Sequence, residues 1–296
     1  MKSIVLPSRF KHRENLTSYL FLLPFLVFFA SLVLYPIFTA VKISFYDFNY
    51  NVITFTGFNN YIKLFKEKLF WKSLFVSFSF VLGVVPVSTV FSILTAVVIY
   101  EKSRFVQSYY RAVFYLPAVT SAVTVSLTWK LILQPNFGIA NYVLGGFGIP
   151  PVQWLGAKMA LISLILMVIT FNVGQSIILY IASLGAIPKT FYEAAEIDGA
   201  NKLKTLIRIT LPLLKPTTLY NVIMTSIASF QAFEVIILMT GGGPYYATNS
   251  LMFELYRTAF TFNNYGLASA IGIVMCIVVV SFSIIQFKFL SSDVEY

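Results

Sequence analysis

Residues that carry chemistry are scarce in this chain. Its 296 residues include one histidine, His12, and one cysteine, Cys276. A single thiol excludes an intrachain disulfide, and neither residue has the neighbours that a Cys/His zinc site needs. No HExxH pair, no GxSxG nucleophile elbow and no GxxxxGK[ST] phosphate-binding loop occurs in the sequence. The apolar stretches hold no chain of acids and no arginine ladder, the marks of proton relays and voltage sensors. The sequence therefore offers no catalytic cluster and no means of hydrolysing ATP, and the chain is not expected to be an enzyme.

Charge is scarce as well. Only 11% of residues are charged while 58% are hydrophobic. Soluble domains carry about 25% charged residues, so this composition describes one integral membrane unit. A helix needs roughly 20 apolar residues to cross a bilayer core. Six apolar stretches are long enough, near Thr17–Phe45, Lys72–Tyr100, Tyr109–Leu133, Met159–Ala186, Leu213–Thr240 and Tyr265–Leu290. Lipid cannot hydrogen-bond an exposed backbone, and no alternating barrel pattern occurs. The expected fold is all-α, a polytopic membrane protein with about six transmembrane helices. The basic residues ahead of the first stretch suggest a signal peptide, but the apolar run is long and lacks a small-residue cleavage site, so it reads as a retained span. Pro24, Pro36, Pro86 and Pro117 fall inside spans and are expected to bend them, although membrane helices tolerate proline. Bent, crossing helices are one way to leave a central gap.

The net charge of +10 would suggest nucleic acid in a soluble protein. Here it reads as the excess of Lys and Arg in cytoplasmic loops. Lys2, Arg9, Lys11 and Arg13 precede the first span. Lys102, Arg104 and Arg111 follow the second, and Lys189, Lys202, Lys204, Arg208 and Lys215 follow the fourth. With six spans these groups, and Lys288 in the tail, share one side. Lys63, Lys66, Lys68 and Lys72 on the other side weaken the bias. The expected layout is a cytoplasmic N-terminal segment (1–16), a transmembrane domain (17–290) and a cytoplasmic tail (291–296), with both termini inside a plasma membrane.

One polar stretch interrupts this apolar chain: FYEAAEIDGANKLKTLIRITLPLLKP, Phe191–Pro216. Thr190 and Glu193 have T-x-x-E spacing, which predicts a capping box. Glu193, Glu196 and Asp198 are expected mostly in the first turns of a short helix, where the dipole favours acids. Ala194, Ala195 and Ala200 are small enough to let another surface approach. Gly199 suits a left-handed turn that ends the helix. Asn201 is expected to cap a second helix, and Pro212 and Pro216 to redirect the chain. The stretch thus predicts a rigid helix–turn–helix that docks on a cytoplasmic partner. Its acids argue against a helix lying on anionic headgroups.

The order Glu193-Ala194-Ala195, Gly199, Ile209-x-Leu211-Pro212 resembles the EAA loop of bacterial ATP-binding cassette (ABC) importer permeases, with its EAA-x3-G-x9-I-x-LP spacing. RAVFYLPAVTSAVTVSLTWKLILQPNFGIAN (Arg111–Asn141), TGGGP (Thr240–Pro244) with Thr248, and FTGFNNYIKLF (Phe55–Phe65) resemble the maltose and multiple-sugar branch of that family. Phe171 departs from it, since many relatives have tryptophan there. The resemblance covers nearly the whole chain. It implies a coupling helix within 188–212 that seats on a dimeric ABC ATPase, through Glu193, Ala194, Ala195, Glu196, Asp198 and Gly199. It also implies a second homologous permease subunit and an extracellular or periplasmic sugar-binding protein. No cofactor is expected on this chain; ATP and Mg would be used by the partner ATPase.

A sugar site needs hydroxyl and amide partners and aromatic faces. On that criterion Asn172 and Gln175 in the fourth span, and Ser226, Ser229, Phe230 and Gln231 in the fifth, are candidates. Ser226, Ser229 and Phe230 lie at i, i+3, i+4 and share a helix face; helix-packing hydrogen bonds are the competing role for the serines. Glu234, near the outer end of the fifth span, is an intramembrane acid and a further candidate. The expected function is translocation of a sugar or oligosaccharide by a permease driven from a separate ATPase. The alternative, a self-sufficient ion-coupled carrier, expects coupling acids within spans, and only Glu234 is available.

Overall fold

The computed structural model describes residues 8–49 and 52–290. The expected C-terminal tail and the first seven residues of the expected N-terminal segment lie outside the described residues. Four helices are long and apolar enough to cross a membrane: Tyr19–Ile43, Lys68–Tyr100, Ala160–Ala186 and Tyr265–Leu290. The third and fifth stretches are not straight spans. The third is α5 (Arg104–Val119) and α6 (Ala122–Ile132), which meet at 98°. The fifth is α12 (Lys215–Phe230) and α13 (Glu234–Met239), separated by three residues. The described residues thus hold four continuous candidate spans, or five if the bent pair is one, where the sequence suggested about six.

In chain order, α1 (Ser8–Phe29) runs through a widened π turn (Ala30–Leu34) into α2 (Tyr35–Ile43). A second π turn (Leu206–Thr210) precedes α11 (Leu211–Leu213). These two widened turns each end two residues before a proline, Pro36 or Pro212, whereas a third, Arg257–Thr261, has no proline after it. A proline ring clashes with the carbonyl four residues back and offers no N–H. A wide turn absorbs both faults without breaking the helix. A short antiparallel hairpin, β1 (Tyr46–Asn49) and β2 (Val52–Phe55), then α3 (Asn59–Lys66), lead into α4 (Lys68–Tyr100). The hairpin adds a small sheet to an otherwise helical chain.

The centre of the bundle is α4 packed on α8 (Ala160–Ala186). The buried face of α4 alternates bulk with small hydroxyls: Ser73, Val76, Ser77, Phe80, Val84, Ser88, Ser92 and Ala96. In lipid, helices gain little from hiding apolar area, so small residues that let backbones approach are the useful ones. One of the two tightest approaches, with that of Gly266 on Tyr46, is at Gly174 of α8. A Cβ there would sit 2.1 Å from the carbonyl oxygen of Phe114 on α5, so only glycine fits. Three apolar clusters follow. One joins Phe80, Val84, Leu164, Met167, Ile236 and Phe253. A second joins Ala96, Ile99, Ile177, Tyr180, Leu184 and Leu214. A third sets Val81, Val85, Phe230, Ile271 and Met275 against α15 (Tyr265–Leu290). By contrast, Tyr19–Ile43 buries none of its residues within this chain.

At one end of the bundle the turn Thr240–Asn249 is tied down by polar contacts. Asn249 Nδ2 donates to Ser73 Oγ (2.6 Å) and to Glu254 Oε2 (2.9 Å). The Leu251 N–H donates to Ser77 Oγ at 2.8 Å. Ser250 caps α14 (Leu251–Tyr256) by accepting from the Phe253 N–H. Buried groups need such partners, and here the small residues of α4 supply them.

Candidate functional site: a capped segment and an interhelical cavity

At the opposite end, α8 stops at Ile187, which is buried and extended. Pro188 and Lys189 start a turn, and α9 (Thr190–Ile197) grows from it. The Tyr192 and Glu193 N–H groups donate to the Lys189 carbonyl and that of Phe191 to Pro188. The predicted capping box is therefore absent. Thr190 already lies inside the helix, Lys189 takes the cap position, and no side chain caps it. The helix has eight residues, so only Glu193 lies in the first turn. Glu196 falls in the last turn and Asp198 on the C-terminal cap, against the expectation that the dipole would favour them.

The exit from α9 is as expected. Gly199 has φ +69°, its N–H donates to the Glu196 carbonyl (3.1 Å), and the Ala200 N–H donates to Ala195 (2.9 Å). This pair of bonds around a left-handed residue is a Schellman ending. Asn201 then caps α10 (Lys202–Thr205), its Oδ1 accepting from the Lys204 N–H at 2.8 Å.

One face of α9 holds this segment on the bundle. Tyr192 packs on the cluster around Ile99 and Leu184, and its hydroxyl lies 3.4 Å from Thr210 Oγ1. Ala195, one turn on, is buried, so it faces inward and is not available to a partner. Lys202 Nζ lies 2.9 Å from Glu101 Oε2, linking α10 to the end of α4. A cavity of about 740 Å³ separates the segment from the ends of α4 and α8, with Val97, Tyr100, Leu184 and Thr210 among its walls. Glu196, one turn on from Tyr192, also lines this cavity, and the outward face carries Glu193, Ala194, Asp198 and Gly199. It also carries residues that sequence reasoning missed. Ile197 is 87% exposed and Ile207 54%; Leu203 is exposed too, but along the cavity wall. Their signal was available: large aliphatic side chains in a polar loop, off the face that Tyr192 and Ala195 bury. Large apolar side chains exposed beside charges in a polar segment are candidates for an interaction surface.

The second feature is a cavity of about 490 Å³ at the break between α12 and α13, lined by Ala122, Val168, Phe171, Gln231, Ala232, Phe233, Glu234, Val235 and Met252. The α12 ladder ends with the Gln231 N–H on Ile227 and the Ala232 N–H on Ser229; it resumes with Ile237 on Phe233. Irregular backbone within a membrane bundle is tolerated where it is buried in protein or lines a cavity, and this break lines one. The Phe233 ring packs on Tyr256 at 5.3 Å between centroids, which holds that wall.

The sequence-predicted solute residues divide. Gln231 and Glu234 line this cavity and are exposed. Ser226, Ser229 and Phe230 do share a face, but that face is buried. Ser229 Oγ donates to the Thr225 carbonyl, and Ser226 Oγ accepts from Gln286 Nε2 at 2.7 Å on α15. Phe230 packs edge-on between Phe78 and Phe282. The structure thus gives these three a packing role within the chain. Asn172 and Gln175 lie outside the cavity lining. Asn172 Nδ2 donates to the Val168 carbonyl of its own helix, and Gln175 is exposed. Phe171, the position that departs from the branch pattern, is a cavity wall.

Comparison with known proteins agrees with this architecture. Residues 55–292 match the family model of the binding-protein-dependent transport system inner membrane component. The chain is 32% identical over 286 residues to the trehalose/maltose transport system permease protein MalF of Thermococcus litoralis, covering 96% of each. It is 33% identical over 290 residues to the probable ABC transporter permease protein YurN of Bacillus subtilis, covering 96% of this chain and 99% of that one. Its fold matches a chain of a bacterial alginate ABC transporter crystallised with an alginate pentasaccharide-bound periplasmic protein. That match has a TM-score of 0.81 at 23% identity and covers 93% and 94% of the two chains. A helical bundle with a doubly capped segment at one end and a broken helix around a cavity thus has a family: this chain belongs to the binding-protein-dependent transport system inner membrane components, the membrane-embedded permeases of ABC importers.

Proposed function

We propose that this chain is one of two homologous permease subunits through which a sugar or oligosaccharide crosses the plasma membrane, driven by ATP hydrolysis in a separate dimeric ATPase. The observation that carries this reading is the outward face of the capped segment. Ile197 and Ile207 are exposed, Ile197 between Glu196 and Asp198, while Tyr192 and Ala195 tie the same segment to the core. A surface that is sticky outward and rigid inward suits the transmission of force from a docked subunit. Lys and Arg near that end, Lys102, Arg104, Lys189, Lys202, Lys204 and Arg208, support placing it in the cytoplasm with both termini inside. ATP and Mg belong to the ATPase, and this chain holds no cofactor.

The first span supports a second permease. Tyr19–Ile43 buries nothing on its own chain, which suits packing against a homologous subunit. The opposite mouth, with the tied Thr240–Asn249 turn, would meet a sugar-loaded binding protein. Relatives named for trehalose and maltose, arabinooligosaccharides and lactose support a saccharide as cargo. The cavity at the α12 break suits one too, since it offers an amide (Gln231), a carboxylate (Glu234) and two aromatic rings (Phe171, Phe233). This cavity is the chain's share of the pathway.

Reconstitution in proteoliposomes tests the reading. Uptake of labelled saccharide should require the ATPase, internal ATP and the binding protein together. Uptake by the two permeases alone, driven by an ion gradient, would overturn it.

A further inference from the structure

We infer that Glu234 makes the cavity a charge filter that favours neutral or amino-bearing saccharides and disfavours those carrying uronic acids. This deepens the proposed function and rests on the reading of that cavity as the solute path. Among the residues lining it, Glu234 is the one charged side chain; Gln231 is the one amide, and the rest are apolar. Glu234 makes no ion pair among the described residues, whose salt bridges are Lys63–Asp47, Lys202–Glu101 and Arg257–Glu254. The arginine beside this region is already committed. Arg257 follows Tyr256, the ring that packs on Phe233, but its Nη2 lies 3.0 Å from Glu254 Oε2. Its guanidinium also sits over the Tyr246 and Phe262 rings, 5.0 and 5.3 Å from their centroids.

This chain's contribution to the cavity is therefore a carboxylate with no ion-pair partner among the described residues, set beside Phe171, Phe233, Val168, Val235 and Met252. Apolar walls displace water and strengthen the field of such a charge. A sugar hydroxyl can donate a hydrogen bond to the carboxylate, and an ammonium can pair with it. A uronate's hydroxyls can still donate, but its own carboxylate is repelled, so discrimination arises mainly from the wrong partner's penalty.

The test reads the potential directly and then the selectivity. In the assembled importer in lipid, Gln231→Cys in a Cys276→Ser background is treated with a cationic and with an anionic methanethiosulfonate. The cation-to-anion rate ratio should fall about tenfold or more when Glu234→Gln is added, the scale of one unit charge a few ångströms away. Glu234→Asp should keep the ratio. In parallel, the uptake ratio of α-1,4-glucuronosyl-glucose, the uronate analogue of maltose, to maltose should rise about tenfold in Glu234→Gln relative to the parent, with the same binding protein. A thiol ratio indifferent to Glu234→Gln, or Asp and Gln variants that behave alike, overturns the filter even if maltose is imported. An unsubstituted complex that imports no saccharide overturns the underlying reading instead, whatever the thiol ratio.

Discussion

Gly199 offers a clean test of the rigid turn, because a side chain added there would touch nothing. Its φ is +69°, and a Cβ at this position would have no atom within 4 Å. Any effect of substitution must then come from backbone conformation and not from a clash. A non-glycine residue in the left-handed region costs about 1–2 kcal/mol, asparagine costs less because its side chain bonds locally, and β-branched residues cost most. A penalty of 1–2 kcal/mol shifts the balance between closed and open turn by about 5–30-fold, given that about 1.4 kcal/mol is tenfold. The reporters are built in. The Gly199 and Ala200 N–H groups donate to Glu196 and Ala195, so their exchange with solvent follows opening of the turn. Hydrogen exchange on the assembled complex should show protection at residues 199 and 200 falling in the order Gly, Asn, Ala, Val, by about 5–30-fold for Ala. Sugar moved per ATP hydrolysed should fall in the same order. Wild-type protection in Gly199→Val would refute the reasoning, since the turn would then not depend on a left-handed residue.

Other substitutions probe other parts of the bundle. Gly174→Ala should destabilise the chain by about 1–3 kcal/mol through overpacking, because the new methyl would sit 2.1 Å from the Phe114 carbonyl oxygen, which cannot rotate away; thermal unfolding in detergent reads it. Asn201→Ala should cost about 1 kcal/mol and free the Lys204 amide that Asn201 caps, seen as faster exchange there. Glu254→Ala strips partners from both Arg257 and Asn249 and should cost about 3–5 kcal/mol, the scale for breaking a buried pair, with faster proteolysis of the Thr240–Asn249 turn. Lys202→Ala should change stability by less than about 1 kcal/mol, because both ends of its ion pair with Glu101 are largely exposed; a larger loss would mean that this bridge holds the segment.

Composition made most of this architecture legible. Apolar runs located Lys68–Tyr100, Ala160–Ala186 and Tyr265–Leu290 within a few residues. The local code also worked where a residue type has one physical use: Gly199 for positive φ, Asn201 for a cap. It failed where two uses compete. T-x-x-E at Thr190 matched a capping box, but Pro188 starts the turn earlier and its carbonyl, with that of Lys189, takes the N–H groups the box would have served. Hydropathy is blind to direction, so it did not separate α5 from α6, where Thr120 and Ser121 turn extended. Nor did it show the interruption after Phe230. Helical spacing put Ser226, Ser229 and Phe230 on one face correctly, but spacing does not say what the face meets. Gln286 of α15, sixty residues away in sequence, decides that. Ile197 is the apolar member of the triplet Glu196-Ile197-Asp198, but sequence alone does not say that its side chain faces away from the bundle.

Cysteine crosslinking from Ile197 tests the central claim most directly. In a Cys276→Ser background, Ile197→Cys is paired with single cysteines placed in the surface groove of the ATPase. Docking through the outward face predicts a disulfide that forms in high yield in the assembled importer and stops both ATP hydrolysis and uptake until it is reduced. An Ile197→Cys thiol that never reaches the ATPase, and that reacts instead with an impermeant reagent added outside the cell, would contradict it.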